Sequence, residues 1–255
     1  MTFLQAIILS VVEGITEFLP ISSTGHLILT SKVLGIAQTE FVKSFEVIIQ
    51  LGAILAVIFL YFNTVVRNIK VWSRVILAFI PTGIIGVLVY DFVKGSLIGN
   101  FTVVVSSIFF GGVAILLIEK FASSRGNKIQ SIEHLTQRRS IFVGILQSVS
   151  MVPGISRALT TIFGGLLVGL DRKNATEFSF LLAVPTMLAA TVFDLYKTGF
   201  LFTNEEYIIF GIGFVGAFFS ALIAIKLLIN FVQKHSFRMF ALYRIVLAII
   251  FWFLY

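Results

Sequence analysis

The sequence predicts an all-α polytopic membrane protein, an inverted-topology repeat whose halves are each a re-entrant helix pair plus three transmembrane helices. Three observations carry this. The chain is 58% hydrophobic and only 12% charged, against roughly 25% charged in a soluble domain, with a mean hydropathy of +1.04. Long apolar runs recur at the length of helices rather than of barrel strands. Two of these runs are interrupted by proline, glycine and polar residues, at 13–26 and 152–157, and each is followed by three uninterrupted runs. One integral membrane domain, 1–255, is expected, with halves of about 1–122 and 138–255 joined by a cytoplasmic loop at 119–140.

Residues 3–31 are apolar but broken at Pro20 and Gly25. That is long for one span of about 20 residues and short for two, so the chain is expected to enter, turn and return. The N-terminus carries no Lys or Arg ahead of its apolar run, and Glu13 and Glu17 interrupt that run, unlike a cleaved signal peptide. A polar loop at 32–43 leads to a span at 44–63, where Glu46 and Gln50, four apart, share one face. Loop 64–74 carries Arg67, Lys70 and Arg74, and spans follow at about 75–91 and 101–118. After 119–140 the pattern restarts: an apolar run at 141–170 broken at Pro153-Gly154, then spans at about 177–196, 207–230 and 239–255. QAIILSVVEGITEFLPISS at 5–23 and VGILQSVSMVPGISR at 143–157 each run an apolar helix into a proline followed within three residues by serine. Matching element order, more than identity, argues for the repeat.

The net charge of +7 does not point to nucleic acid, because the bases sit in short loops between apolar runs. With both broken segments re-entrant, loops 64–74, 119–140, 171–176 and 231–238 share one side and hold twelve Lys/Arg, against four in 32–43, 92–100 and 197–206. The basic side is expected to be cytoplasmic. The first pair then enters from outside and the second from inside. The absence of cysteine removes thiol catalysis and thiolate metal sites.

Hydrocarbon cannot solvate polar groups, so an intramembrane cluster must be paired, hydrated or in use. Glu13 and Glu17 lie at i, i+4 on one helical face. Two carboxylates in a low dielectric repel unless a proton or cation intervenes, and an oxygen-rich site suits Mg²⁺ or Ca²⁺. Spacing leaves open a bound divalent cation, a proton relay and a structural hydrogen-bonded pair. Ser22, Ser23 and Thr24 follow the break, where a restarting helix offers amides and hydroxyls to an anion; an N-cap is the plain alternative. His26, three residues past Ser23, is within reach to act as its base if both face a cavity. Arg157 suits bidentate phosphate binding or a structural bridge to a first-half glutamate, and Ser156 and Thr161 add donors. Lys226 and Arg244, near span ends, are expected to snorkel.

EGITEFLPISSTGHL at 13–27 resembles the signature of the bacterial undecaprenyl pyrophosphate phosphatase (undecaprenyl-diphosphatase) family. PGISR at 153–157, FEVIIQLGAILAV at 45–57 and FSFLLAVP at 178–185 are similar to further family segments, in order over nearly the whole chain. Ala158-Leu159 stands where the family usually reads Ser-Gly. The resemblance implies an enzyme of the bacterial inner membrane, its site open to the extracytoplasmic side. It would hydrolyse undecaprenyl diphosphate to the monophosphate, recycling the carrier of peptidoglycan synthesis and conferring bacitracin resistance. By position, Glu13 and Glu17 hold a metal or polarise the attack, Ser23 is the nucleophile, and His26 is its base or acid. Arg157, Ser156 and Thr161 hold phosphates, with Ser22, Thr24 and Gln50 as further substrate contacts. Direct attack by Ser23 and attack by a His26-activated water both stay open. Expected partners are a polyprenyl diphosphate lipid and membrane lipid, with a homodimer left open. The rival reading is a lipid transporter or flippase, since broken helices at the midplane are a common transporter plan.

The charge bias gives a direct test. In this cysteine-free chain, Gln38→Cys and Gln130→Cys should be labelled from opposite faces of the membrane; labelling of both from outside intact cells would sink the inverted layout.

Overall fold

A computed structural model describes residues 1–97, 100–123, 129–198 and 202–254. Arg125 and Lys128, two of the bases assigned above to loop 119–140, lie outside these residues. Among the described residues the architecture is all-α, and the chain is a multi-pass membrane protein. Five helices are long and apolar enough to cross a membrane.

The first broken segment is helix α1, Phe3–Thr16, a turn, and helix α2, Ser23–Val33. Then come α3, Glu40–Leu60; the short α4, Phe62–Arg67; α5, Ile69–Phe92; and α6, Phe101–Ser123. The second broken segment is α7, Gln137–Ser148, a turn, and α8, Arg157–Leu167. It is followed by α9, Arg172–Thr198; α10, Asn204–Lys234; and α11, Arg238–Leu254. α11 has 17 residues, a rise of about 26 Å.

Two expected boundaries move for one reason. Residues 64–74 are not an open loop: α4 and the start of α5 occupy them, with the Asn68 side chain accepting from Val71 N to cap α5. Arg138 and Arg139, assigned to a loop, sit exposed in the first turn of α7. Hydropathy marks where lipid stops, whereas a helix continues until its backbone is capped, so charged helical turns outside the hydrocarbon read as loops.

The two halves exchange partners in packing. α1 lies against α10 and α7 against α5, while α3 packs on α10 and α9. α6 pairs with α11, and α8 with α9 and α7. Between helices in lipid there is little hydrophobic driving force, so close backbone approach through small residues does the work. A Cβ on Gly14 would meet Ala217 O of α10 at 2.5 Å, and one on Gly144 would meet Ala78 O of α5 at 1.9 Å. At the second interface Thr82 donates to Gly144 O at 2.8 Å, and Gln147 donates to Thr82 and Thr186. This polar knot ties α5, α7 and α9 just before the second break.

Gly144→Val should therefore lower thermal stability in detergent by about 1–3 kcal/mol or more, because the obstructing atom is backbone and cannot swing away. Gly211→Ala, where an added methyl meets nothing within 4 Å, should be neutral or stabilising by up to about 1 kcal/mol. Equal stability of the two variants would show that the α5–α7 contact is not close.

Candidate functional site

Both broken segments turn in the same way. Ser22 (φ 75°) and Ser156 (φ 84°) are the two described non-glycine residues with positive φ, a conformation costing of order 1–3 kcal/mol in a non-glycine residue. Each caps the helix it opens: Ser22 Oγ accepts from Gly25 N at 3.2 Å and Ser156 Oγ from Leu159 N at 3.1 Å. The N-cap alternative thus holds for Ser22, and Ser156, read from the sequence as a donor, caps α8 in the same way. Gly154 (φ +94°) completes the second turn, where any Cβ would meet Val104 O at 2.5 Å.

The strained caps leave Ser23 and Arg157 as the first residues of α2 and α8, and both reach the same carboxylate. Ser23 Oγ donates to Glu17 Oε2 at 2.5 Å, and Arg157 Nη2 to Glu17 Oε1 at 2.7 Å. Two helix N-termini, with their uncompensated amides and positive dipole ends, therefore converge on one buried anion. Arg157 Nη1 donates to Ser179 O at 2.9 Å, and its guanidinium lies over the Phe18 ring, 5.6 Å from the centroid. Ser179 Oγ pairs with Thr161 Oγ1 at 2.6 Å. Thr161 thus supports Ser179 and, through Arg157 O at 2.8 Å, the first turn of α8.

Buried polar atoms without a hydrogen-bond partner among the described residues include both oxygens of Glu13, Oε1 of Glu46 and the Nε of Arg157. Glu13 is fully buried, with Glu17, Glu46 and Arg157 as its charged neighbours. A free carboxylate and a free guanidinium N–H inside one site are an acceptor for a cation and a donor for an anion.

Among the described residues no hydrogen bond joins His26 to Ser23. Its Nδ1 lies 2.7 Å from Ser22 O and its Nε2 2.7 Å from the Tyr243 hydroxyl. The hydroxyl of Ser23 is held by Glu17, so the acceptor bonded to it in this structure is the carboxylate. Thr24 and Gln50 are only partly buried, and among the described residues neither hydrogen-bonds to another site side chain. Ala158 and Leu159 are packed into the apolar core beneath α8.

Arg244 overturns its sequence reading. It does not snorkel; it is completely buried, and Lys226 alone of the two is exposed. Its guanidinium donates to Pro20 O at 3.2 Å in the first break, to Gly154 O at 2.9 Å in the second, and to Ser107 O and Ile108 O of α6. Gly111 admits it: a Cβ there would meet Nη2 at 2.1 Å. The signal was present, since Arg244 lies within an apolar run, where a guanidinium is costly even near the span end. Ser179 and Tyr243, by contrast, are ordinary side chains in their own helices, and only the tertiary fold marks them.

The fold and this site define an integral membrane protein with a buried polar cluster where two broken segments meet. The profile of the family described as "Bacitracin resistance protein BacA" matches residues 6–250, and the chain belongs to that family. It is 51% identical to the protein named "Undecaprenyl-diphosphatase" of Aquifex aeolicus (strain VF5), over 98% of each chain. It is 51% identical to the one so named from Sulfurihydrogenibium sp. (strain YO3AOP1), over the full length of both. Against one from Campylobacter jejuni the identity is 46%, over 99% of this chain and 94% of the relative.

Arg244→Met should leave the Pro20 and Gly154 carbonyls buried without their guanidinium donor, at about 1–3 kcal/mol each. A fall of several degrees in the melting temperature in detergent is expected, with Arg244→Lys intermediate because an ammonium cannot span both breaks. Wild-type melting of both variants would remove Arg244 as the brace.

Proposed function

We propose that this protein hydrolyses undecaprenyl diphosphate to undecaprenyl phosphate and inorganic phosphate. On this reading it works in the bacterial inner membrane with its chamber open to the extracytoplasmic side. The whole-length similarity to proteins named for that activity supports the reading. The observation that carries it is the Ser23–Glu17–Arg157 chain: a hydroxyl, its proton acceptor and a phosphate-binding cation meet at two helix N-termini. A prenyl tail stays in lipid while its diphosphate enters the chamber.

Ser23 Oγ attacks the terminal phosphorus and its proton passes to Glu17. The bond from that phosphorus to the bridging oxygen breaks, undecaprenyl phosphate leaves, and water then releases phosphate from Ser23. Charge building on the phosphoryl oxygens meets Arg157 and the first-turn amides of α2 and α8. Arg157 can turn from Glu17 to the substrate because its Nε is already uncommitted. Ser156 keeps the α8 terminus aimed at the phosphates, and Thr161 with Ser179 holds the guanidinium in register.

A divalent cation, Mg²⁺ or Ca²⁺, belongs to the proposal. The unpartnered oxygens of Glu13 fit it, with Glu17 beside them. Among the described residues no group of three or more His, Cys, Asp or Glu side chains converges to hold a metal, so phosphate oxygens and water would complete the shell. Such an ion would neutralise diphosphate charge. The inverted layout is part of the same reading, supported by the exchanged packing partners and the matching Ser22 and Ser156 turns.

Purified protein in detergent should release phosphate from undecaprenyl diphosphate with no membrane barrier present, which a transporter would not do. Ser23→Ala should abolish turnover while substrate binding survives. Glu17→Gln should cut turnover by at least about 10²-fold, and Arg157→Lys should fold normally yet lose most activity because a point charge cannot replace the fork. Undiminished release by Ser23→Ala would end the nucleophile assignment.

A further inference from the structure

His26 is held by two bonds whose chemistry differs. Ser22 O is a carbonyl and can only accept, so the Nδ1 atom 2.7 Å away carries a proton. In the neutral ring Nε2 is then the bare nitrogen, and at 2.7 Å it accepts from the Tyr243 hydroxyl. The two rings lie nearly parallel, 11° apart with centroids at 5.6 Å. Nδ1 is therefore closed by the same strained residue that caps α2, and the only basic atom of His26 faces Tyr243. Tyr243 is 44% exposed, so the phenol stands between that atom and the exterior of the fold. Its neighbour in sequence, Arg244, is the fully buried brace of both breaks, which fixes α11 against them and leaves the phenol little freedom.

We propose that Tyr243 is a positioning residue for the reaction, fixing His26 as the Nδ1–H tautomer with its Nε2 lone pair directed to the phenol. Protons then reach or leave His26 through the Tyr243 side of the ring. Ser23 is deprotonated by Glu17, and the His26–Tyr243 pair serves the later stage, in which water attacks the phosphorylated serine. There His26 Nε2 takes the water proton, the water oxygen forms the new bond to phosphorus, and the Ser23 Oγ–P bond breaks. The alkoxide recovers its proton from Glu17. The water, or the phenol relaying its proton, occupies the position in which Tyr243 now bonds Nε2.

The spectroscopic half of this inference needs only the fold, and the kinetic half rests on the phosphatase reading. The test is Tyr243→Phe, which deletes one oxygen and keeps the stacked ring. The chain has three histidines, so ¹⁵N-histidine-labelled protein in detergent, with His26→Gln to assign the signal, reports His26 directly. The wild-type protein should show His26 protonated at Nδ1 and hydrogen-bonded at Nε2. In Tyr243→Phe the Nε2 resonance should move to the position of an unbonded pyridine-type nitrogen while Nδ1 stays in place. Turnover should fall about tenfold or more with KM within about twofold, the pattern of a group acting on chemistry rather than binding. Rapid-quench experiments should show the burst of undecaprenyl phosphate retained and its later turnover slowed. An unchanged His26 spectrum in Tyr243→Phe would overturn the tautomer assignment. A shifted spectrum with wild-type turnover would overturn the catalytic part. Loss of the burst in Ser23→Ala alone leaves this inference standing, whereas persistence of the burst there would instead defeat the nucleophile reading.

Discussion

A carboxylate enclosed by hydrocarbon and protein must be partnered, and Glu17 is partnered from both halves of the chain at once. Ser23 brings the first break to one of its oxygens and Arg157 brings the second to the other. A buried ion pair is a poor source of net stability, since the desolvation of two charges roughly offsets their attraction. Its value here is geometric. Removing either partner leaves the other buried and uncompensated, so the two breaks are held in one register. Everything else about the site, from the strained caps to the aromatic ring under the guanidinium, keeps these three side chains in line.

Arg244 answers a second demand of the same kind. A break in a membrane helix frees carbonyls that lipid cannot satisfy. Pro20 O and Gly154 O are such groups, one in each break, and a single guanidinium takes both while also bonding two carbonyls of α6. With its donors distributed over four carbonyls, Arg244 is a strut and not a ligand for substrate. Arg157, bound to one carboxylate and one serine and with Nε unsatisfied, is the cation left with something to offer an anion. Two arginines at one meeting point thus have separable roles, and burial alone would not have told them apart.

Much of this was legible in the sequence because hydrocarbon is an unforgiving solvent. Eight apolar runs, two of them broken, follow from counting, and Glu13, Glu17, Ser23 and Arg157 stand out because such residues are costly at that depth. Two kinds of information were not legible. Periodicity places residues on a face but does not say which partners they meet, so Ser23 and His26, i and i+3 on α2, suggested a pair, whereas Ser23 bonds Glu17 and His26 bonds Ser22 O and Tyr243. Partners from distant helices, such as Ser179 for Arg157 and Tyr243 for His26, lie 22 and 217 positions away, and no local pattern encodes them. Arg244 fell between these cases: its cost was visible, but proximity to a span end made snorkelling the simpler account.

Aligning the two turns on Ser22 and Ser156 brings out what differs between them. In that register Gln147 stands opposite Glu13, both fully buried, and Arg157 stands opposite Ser23. Gln147 is spent on packing, donating to Thr82 and Thr186 on neighbouring helices. The oxygens of Glu13 have no hydrogen-bond partner among the described residues other than the neighbouring Glu17 carboxyl. Identical halves would have set carboxylate against carboxylate and serine against serine at the meeting point, a repulsive and chemically redundant arrangement. Differences between the two segments, Glu13 against Gln147, Glu17 against Met151 and Ser23 against Arg157 among them, polarise the meeting point instead: one half supplies the hydroxyl and the acids, the other a neutral amide and a cation. The scaffold fixes where two helix N-termini meet, and the difference between its halves determines that what meets there is a serine hydroxyl, a carboxylate and an arginine.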